Sequence, residues 1–158
     1  MSEKGGQPED QRERVNRELG ELLQELRVAL PGVQVLFAFL LTVPFSQGFV
    51  KTTTFQRDLF FATLAATAIS TALLIAPSAW HRIHFRQKNK ESILIASNKL
   101  SIGGLAFLAL AMIGAVILIA DFAFSATLAV ISGLVATLLL GSLWAAIPLV
   151  RHPGRSRT

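Results

Sequence analysis

Two histidines, His81 and His84, stand three residues apart in the stretch AWHRIHFRQKNKES (Ala79 to Ser92), a spacing that puts both imidazoles on one face of a helix. Metal sites take three or four ligands of suitable type. Only Glu91 and the distant His152 could add to the pair, and the chain has no cysteine. No metal site and no cofactor are therefore expected. Ion or proton exchange would need ionisable groups at membrane depth, where burial is costly and is tolerated for function. The candidates are Asp121 and Glu25, which stand at the edges of apolar stretches and not inside them. Thr63, Thr67 and Thr71, with Ser70 beside them, could line a polar path. Threonines in a membrane helix can equally bond their own i−4 carbonyls, and that structural role is the favoured one for them and for Gln34. The chain contains no G-x-S-x-G, no phosphate-binding Gly-rich loop and no H-E-x-x-H, so no enzyme is expected.

Composition explains where such groups must sit. The 158 residues are 52% hydrophobic and 16% charged, against roughly 25% charged in soluble domains, and the mean hydropathy is +0.53. No charge falls in 33–50, 59–80, 100–120 or 122–150. A hydrocarbon core about 30 Å thick takes about 20 helical residues. The stretch LAFLALAMIGAVILIA (Leu105 to Ala120) is apolar at every position, which excludes the alternation of a membrane β-barrel. The expected fold is an all-α integral membrane protein of four transmembrane helices, with spans at about 33–50, 55–77, 100–120 and 122–149. A disordered tail (1–10) and an amphipathic cytoplasmic helix (11–30) precede them, and a basic tail (151–158) follows.

The amphipathic helix is read from Val15, Leu19, Leu22, Leu23, Leu26 and Leu30 at helical spacing. Its stripe can lie on lipid, on the bundle's own end, or on another subunit. Glu18, Glu21 and Glu25 mixed with Arg14, Arg17 and Arg27 favour protein over anionic lipid, because surface anchors carry a Lys/Arg-rich polar face. Pro31 and Gly32 are expected to kink or break the chain before the first span. Thr53 and Gln56 have capping-box spacing at the start of the second.

Orientation follows from the basic residues. Lys4, Arg12, Arg14, Arg17 and Arg27 precede the first span, and Arg82, Arg86, Lys88, Lys90 and Lys99 lie between the second and third. Arg151, Arg155 and Arg157 follow the fourth, and only Lys51 and Arg57 lie elsewhere. With four spans, 13 basic residues share one side against 2, which the positive-inside rule places in the cytoplasm with both termini. Arg82, Arg86, Lys88 and Lys90 then sit in the headgroup zone, where each is worth about 1 kcal/mol toward anionic lipid. A pI near 10.5 is thus topological, and without interleaved aromatics it does not point to nucleic acid.

On the fourth span Ser125, Ala129, Gly133, Thr137, Gly141 and Ala145 recur every four residues, a small-residue seam that lets helices approach closely in lipid. It serves a helix of the same chain or of a second copy. Asp121 separates the last two spans as a tight hairpin.

The segments RVNRELGELLQELRVALPGVQVLFAFLLTVPF (Arg14 to Phe45), FQRDLFFATLAATAISTALLIAPSAWHRIHFR (Phe55 to Arg86) and NKLSIGGLAFLALAMIGAV (Asn98 to Val116) resemble a family of small actinobacterial membrane proteins of unknown function. The resemblance runs from about Glu13 to Val150. It implies a four-span protein of the bacterial inner membrane with no established activity. Some relatives carry the label sodium:proton antiporter, which the lack of carboxylates inside the spans does not support. The expected role is structural or regulatory, with lipid, a second copy or another membrane protein as partner through the cytoplasmic helix and basic loop. The alternative is a small cation or proton transporter, or an accessory subunit of one.

Overall fold

The computed structural model describes residues 7–83 and 90–146. They form four helices, α1 (Gln7–Thr42), α2 (Thr54–Ile83), α3 (Lys90–Ala123) and α4 (Ala126–Gly141), with short 3-10 turns at Val43–Phe45 and Phe49–Lys51 and a π turn at Ser142–Ala146. There is no strand among the described residues. Four segments are long and apolar enough to cross a membrane: Leu23–Phe45, Thr54–Ala79, Ile95–Ala123 and Ala126–Trp144. The chain is a multi-pass membrane protein.

The break expected at Pro31 does not occur. α1 is one helix of 36 residues, about 54 Å long at 1.5 Å per residue. Residues 7–10, expected in the disordered tail, form its first turn. Proline removes one backbone bond, here to the Arg27 carbonyl. Unwinding the chain would expose several backbone groups instead, and membrane helices tolerate the smaller loss. The first span therefore begins near Leu23, ten residues earlier than expected, and its helix ends at Thr42 instead of reaching residue 50. The second span ends at Ala79, close to the expected end at residue 77, and α2 runs on to Ile83 with Pro77 buried inside it. α4 departs in the other direction, ending as an α-helix at Gly141 and widening into the π turn.

The core is a three-helix arrangement of α1, α2 and α3, within which α2 and α3 make the most extensive pairing. Glycines on α3 make that pairing close. A Cβ at Gly104 would lie 2.7 Å from Leu74 Cγ and Cδ2, and one at Gly114 would run into Thr63 Oγ1. The Ser70 hydroxyl donates across the interface to the Gly104 carbonyl at 2.8 Å. Leu26, Val33 and Leu74 are buried together, with Leu30, Leu105 and Leu108 packed around them. The distal half of the amphipathic stripe of α1 thus faces its own bundle. α4 touches only α3 among the described residues. It is reached through Phe124 and Ser125, whose N–H groups both donate to the Ala120 carbonyl at 3.1 and 3.2 Å.

Replacing Gly114 with alanine should destabilise the protein by about 1–3 kcal/mol, the usual cost of overpacking. Thr63→Ala should rescue it, because a residue-114 Cβ then meets only the residue-63 Cβ at 3.4 Å. Unfolding titrations of single and double variants in micelles check both; a Gly114→Ala defect that Thr63→Ala leaves intact contradicts the close contact.

Candidate functional site

The loop between α1 and α2 ends where Thr53 caps α2. Its hydroxyl accepts from the Gln56 N–H at 3.2 Å, and the Gln56 side-chain oxygen accepts from the Thr53 N–H at 3.0 Å, so the capping box read from the sequence forms. Gln56 has a second role that the spacing does not reveal. Its Nε2 donates to Asp121 Oδ2 at 2.9 Å, joining the first turn of α2 to the last turn of α3. The amide orientation is fixed from both sides, since an N–H must meet its oxygen and a carboxylate must meet its nitrogen. Asp121 is half-buried and lies within α3, not in the hairpin where the sequence places it.

Beside this bond lies a cavity of about 310 Å³ between α1, α2, α3 and the loop. Phe39, Phe49, Phe60 and Phe122 supply most of its wall, and Thr42, Ser46, Thr52 and Gln56 its polar rim. Phe49 and Phe60 meet edge to face with centroids 5.2 Å apart. Arg57 braces the rim through Thr52 Oγ1 at 3.2 Å and the Val50 carbonyl at 3.3 Å. Volume and lining suit a small, mostly apolar group. Among the residues that line it, none pairs a nucleophile with an adjacent base.

At the opposite end, Glu18, Glu21 and Glu25 of α1 face Asn98 and Ser101 of α3 across a groove of about 360 Å³. Glu25 and Asp121 are therefore not brought together. Twenty residues of α3 separate Ser101 from Asp121, about 30 Å of helix. Arg17 and Glu21 approach to 4.0 Å on an exposed surface, a pair of little energetic weight.

The hydroxyls between the two ends are closed on the backbone. Thr63, Thr67 and Thr71 donate to the carbonyls of Leu59, Thr63 and Thr67 at 2.7, 2.8 and 2.8 Å, and Ser101 donates to the Ser97 carbonyl at 2.9 Å. No buried side-chain polar atom among the described residues lacks a partner. On α4 only the middle of the small-residue seam packs: Ala129 and Gly133 are buried, with Gly133 against Ile117. Thr137 and Gly141 are exposed. Ser125 is an N-cap that accepts from the Leu128 N–H at 3.3 Å, a role legible as a serine directly before an apolar helix. Ala145 lies in the π turn, its side chain outside the described residues. His84, Arg86, Lys88 and His152 lie outside the described residues, as do the side chains of His81, Arg82, Lys90 and Glu91.

Residues 8–148 match a family of unknown function (DUF6328), and the chain belongs to that family. No curated protein and no solved structure matches it.

Charge-assisted hydrogen bonds contribute about 1.5–3 kcal/mol. A double-mutant cycle of Gln56→Leu and Asp121→Leu should therefore show coupling above 1 kcal/mol in unfolding free energy. Additive effects would mean that the two side chains do not meet.

Proposed function

We propose that this member of a family without assigned activity is a structural or regulatory protein of the bacterial inner membrane, one that meets partners through the cytoplasmic extension of α1. The observation that carries this reading is the unbroken passage of α1 from its span into residues 7–22. Sixteen residues amount to about 24 Å of helix beyond the membrane segment. A helix continuous with a span holds its surface at a fixed distance and angle from the bilayer, which suits contact with a neighbouring protein. The mixed charges of this segment suit a protein surface better than anionic lipid. Arg82, Arg86, Lys88 and Lys90 add attraction for anionic headgroups on the same side, and the distribution of basic residues supports that side being the cytoplasm.

The alternative, a small cation or proton transporter or an accessory subunit of one, has less to rest on. The hydroxyls of Thr63, Thr67 and Thr71 are spent on their own helix and that of Ser70 on α3, and Glu25 and Asp121 stand at opposite ends of the bundle.

Photocrosslinkers placed at Gly20 and Glu21, both exposed, should give discrete protein adducts in native membranes. Adducts to lipid alone would count against the partner role. Proteoliposomes should show no sodium, potassium or proton flux above empty vesicles; flux abolished by Asp121→Asn or Glu25→Gln would establish the transporter instead. A reporter fused after Thr158 should read as cytoplasmic.

A further inference from the structure

The continuity of α1 moves Gln34 to the middle of a membrane span. It is the twelfth of the 23 residues in Leu23–Phe45 and stands seven residues, about 10 Å of helix, beyond the last charge, Arg27. That is too far for its short side chain to reach the interface. Gln34 is nevertheless exposed on the surface of the bundle, and no described residue hydrogen-bonds to it. Its neighbour Val33 is fully buried in the core, while Val35 on the other side is 71% exposed. Gln34 therefore lies on the open flank of α1, turned away from α2 and α3.

An amide carries two donors and an acceptor with two lone pairs. Leaving such a group unsatisfied in hydrocarbon costs several kcal/mol. No buried side-chain polar atom among the described residues lacks a partner, which makes this exposed amide within the span the exception. Lipid chains offer it nothing. We infer that Gln34 is satisfied by the Gln34 of a second copy, and that α1 is the seam of a homodimer.

The choice of a second copy rests on the chemistry of the amide. Across a two-fold axis one glutamine donates with its nitrogen and accepts with its oxygen, and its mate does the same, so the residue is its own complement. Ala38 and Leu41, one and two turns on, share its face of α1 and are exposed. The small side chain at Ala38 leaves the backbone there open to close approach, as helix pairs in lipid require. The dimer goes beyond the partner role above and does not depend on it: the α1 extensions of two copies would run side by side, leaving their outer faces free.

The test is a dilution series of fluorescently labelled full-length protein in liposomes, with energy transfer reporting self-association. Interhelical polar contacts in membranes are worth about 0.6 to 1.7 kcal/mol, so Gln34→Leu should weaken the dimer roughly three- to twenty-fold. Because Gln34 is exposed, its thermal unfolding should not change. The chain has no cysteine, so single cysteines report contacts without background. Ala38→Cys should form a disulfide-linked dimer under oxidation, and Leu134→Cys, exposed on α4, should not. A protein that stays monomeric at all densities overturns the inference. So does a dimer indifferent to Gln34→Leu, or one that crosslinks through α4.

Discussion

Between α2 and α3 the Ser70 hydroxyl reaches the backbone carbonyl of Gly104 at 2.8 Å, and the rest of the bundle is arranged around the closeness that this bond requires. Hydrocarbon supplies no apolar driving force between helices, because lipid tails are as greasy as leucine. What holds helices together there is dispersion at short range and the obligation to satisfy polar groups internally. Glycines at 104 and 114 remove the side chains that would hold the two backbones apart. Thr63, Thr67 and Thr71 discharge their hydroxyls on their own helix. The Gln56–Asp121 bond closes the same pair of helices at the loop end, where the bilayer no longer excludes water completely.

Against this pair the other two helices stand differently. α1 lays Leu26, Leu30 and Val33 on both partners and completes a three-helix core. Among the described helices α4 rests on α3 alone, held by its short hairpin and the fit of Gly133 on Ile117. The polar surface is correspondingly uneven. Carboxylates gather between α1 and α3 at the terminal end, while aromatic rings and one bound carboxylate gather at the loop end. Neither collection contains an activated nucleophile or a metal cluster among the described residues, and of the buried hydroxyls between them Ser70 bonds across to α3 while the threonines bond their own helix.

Much of this architecture is legible in the sequence, because the bilayer imposes a single dominant rule. Charge-free stretches give the four spans, threonine chemistry gives the i−4 bonds of α2, and Thr53 with Gln56 gives the cap of that helix. The misreadings come from rules calibrated in water. Pro31 looks like a helix end because water would satisfy an unwound chain. In a membrane the continuous helix with one lost bond is the cheaper state, and with Pro31 inside α1 the glutamine at position 34 shifts from the margin of a span to its centre. The contact between Gln56 and Asp121 spans 65 residues, and no local pattern encodes it. The six-residue seam reads as uniform, yet of its five described side chains only Ala129 and Gly133 are covered, because the length of a partner helix along a stripe is a tertiary property.

The continuity of α1 through Pro31 is the central claim, since the depth of Gln34 and the reach of the amino-terminal segment both follow from it. Spin labels at Arg17→Cys and Phe39→Cys, measured by pulsed electron resonance in protein diluted with unlabelled copies, test it most directly. Twenty-two residues of unbroken helix separate the two backbones by about 33 Å, and the account predicts a narrow distribution near that value. A segment that broke at Pro31 and lay flat on the membrane would bring the same positions to about 24 Å by the same rise per residue, and a distribution centred there would contradict it.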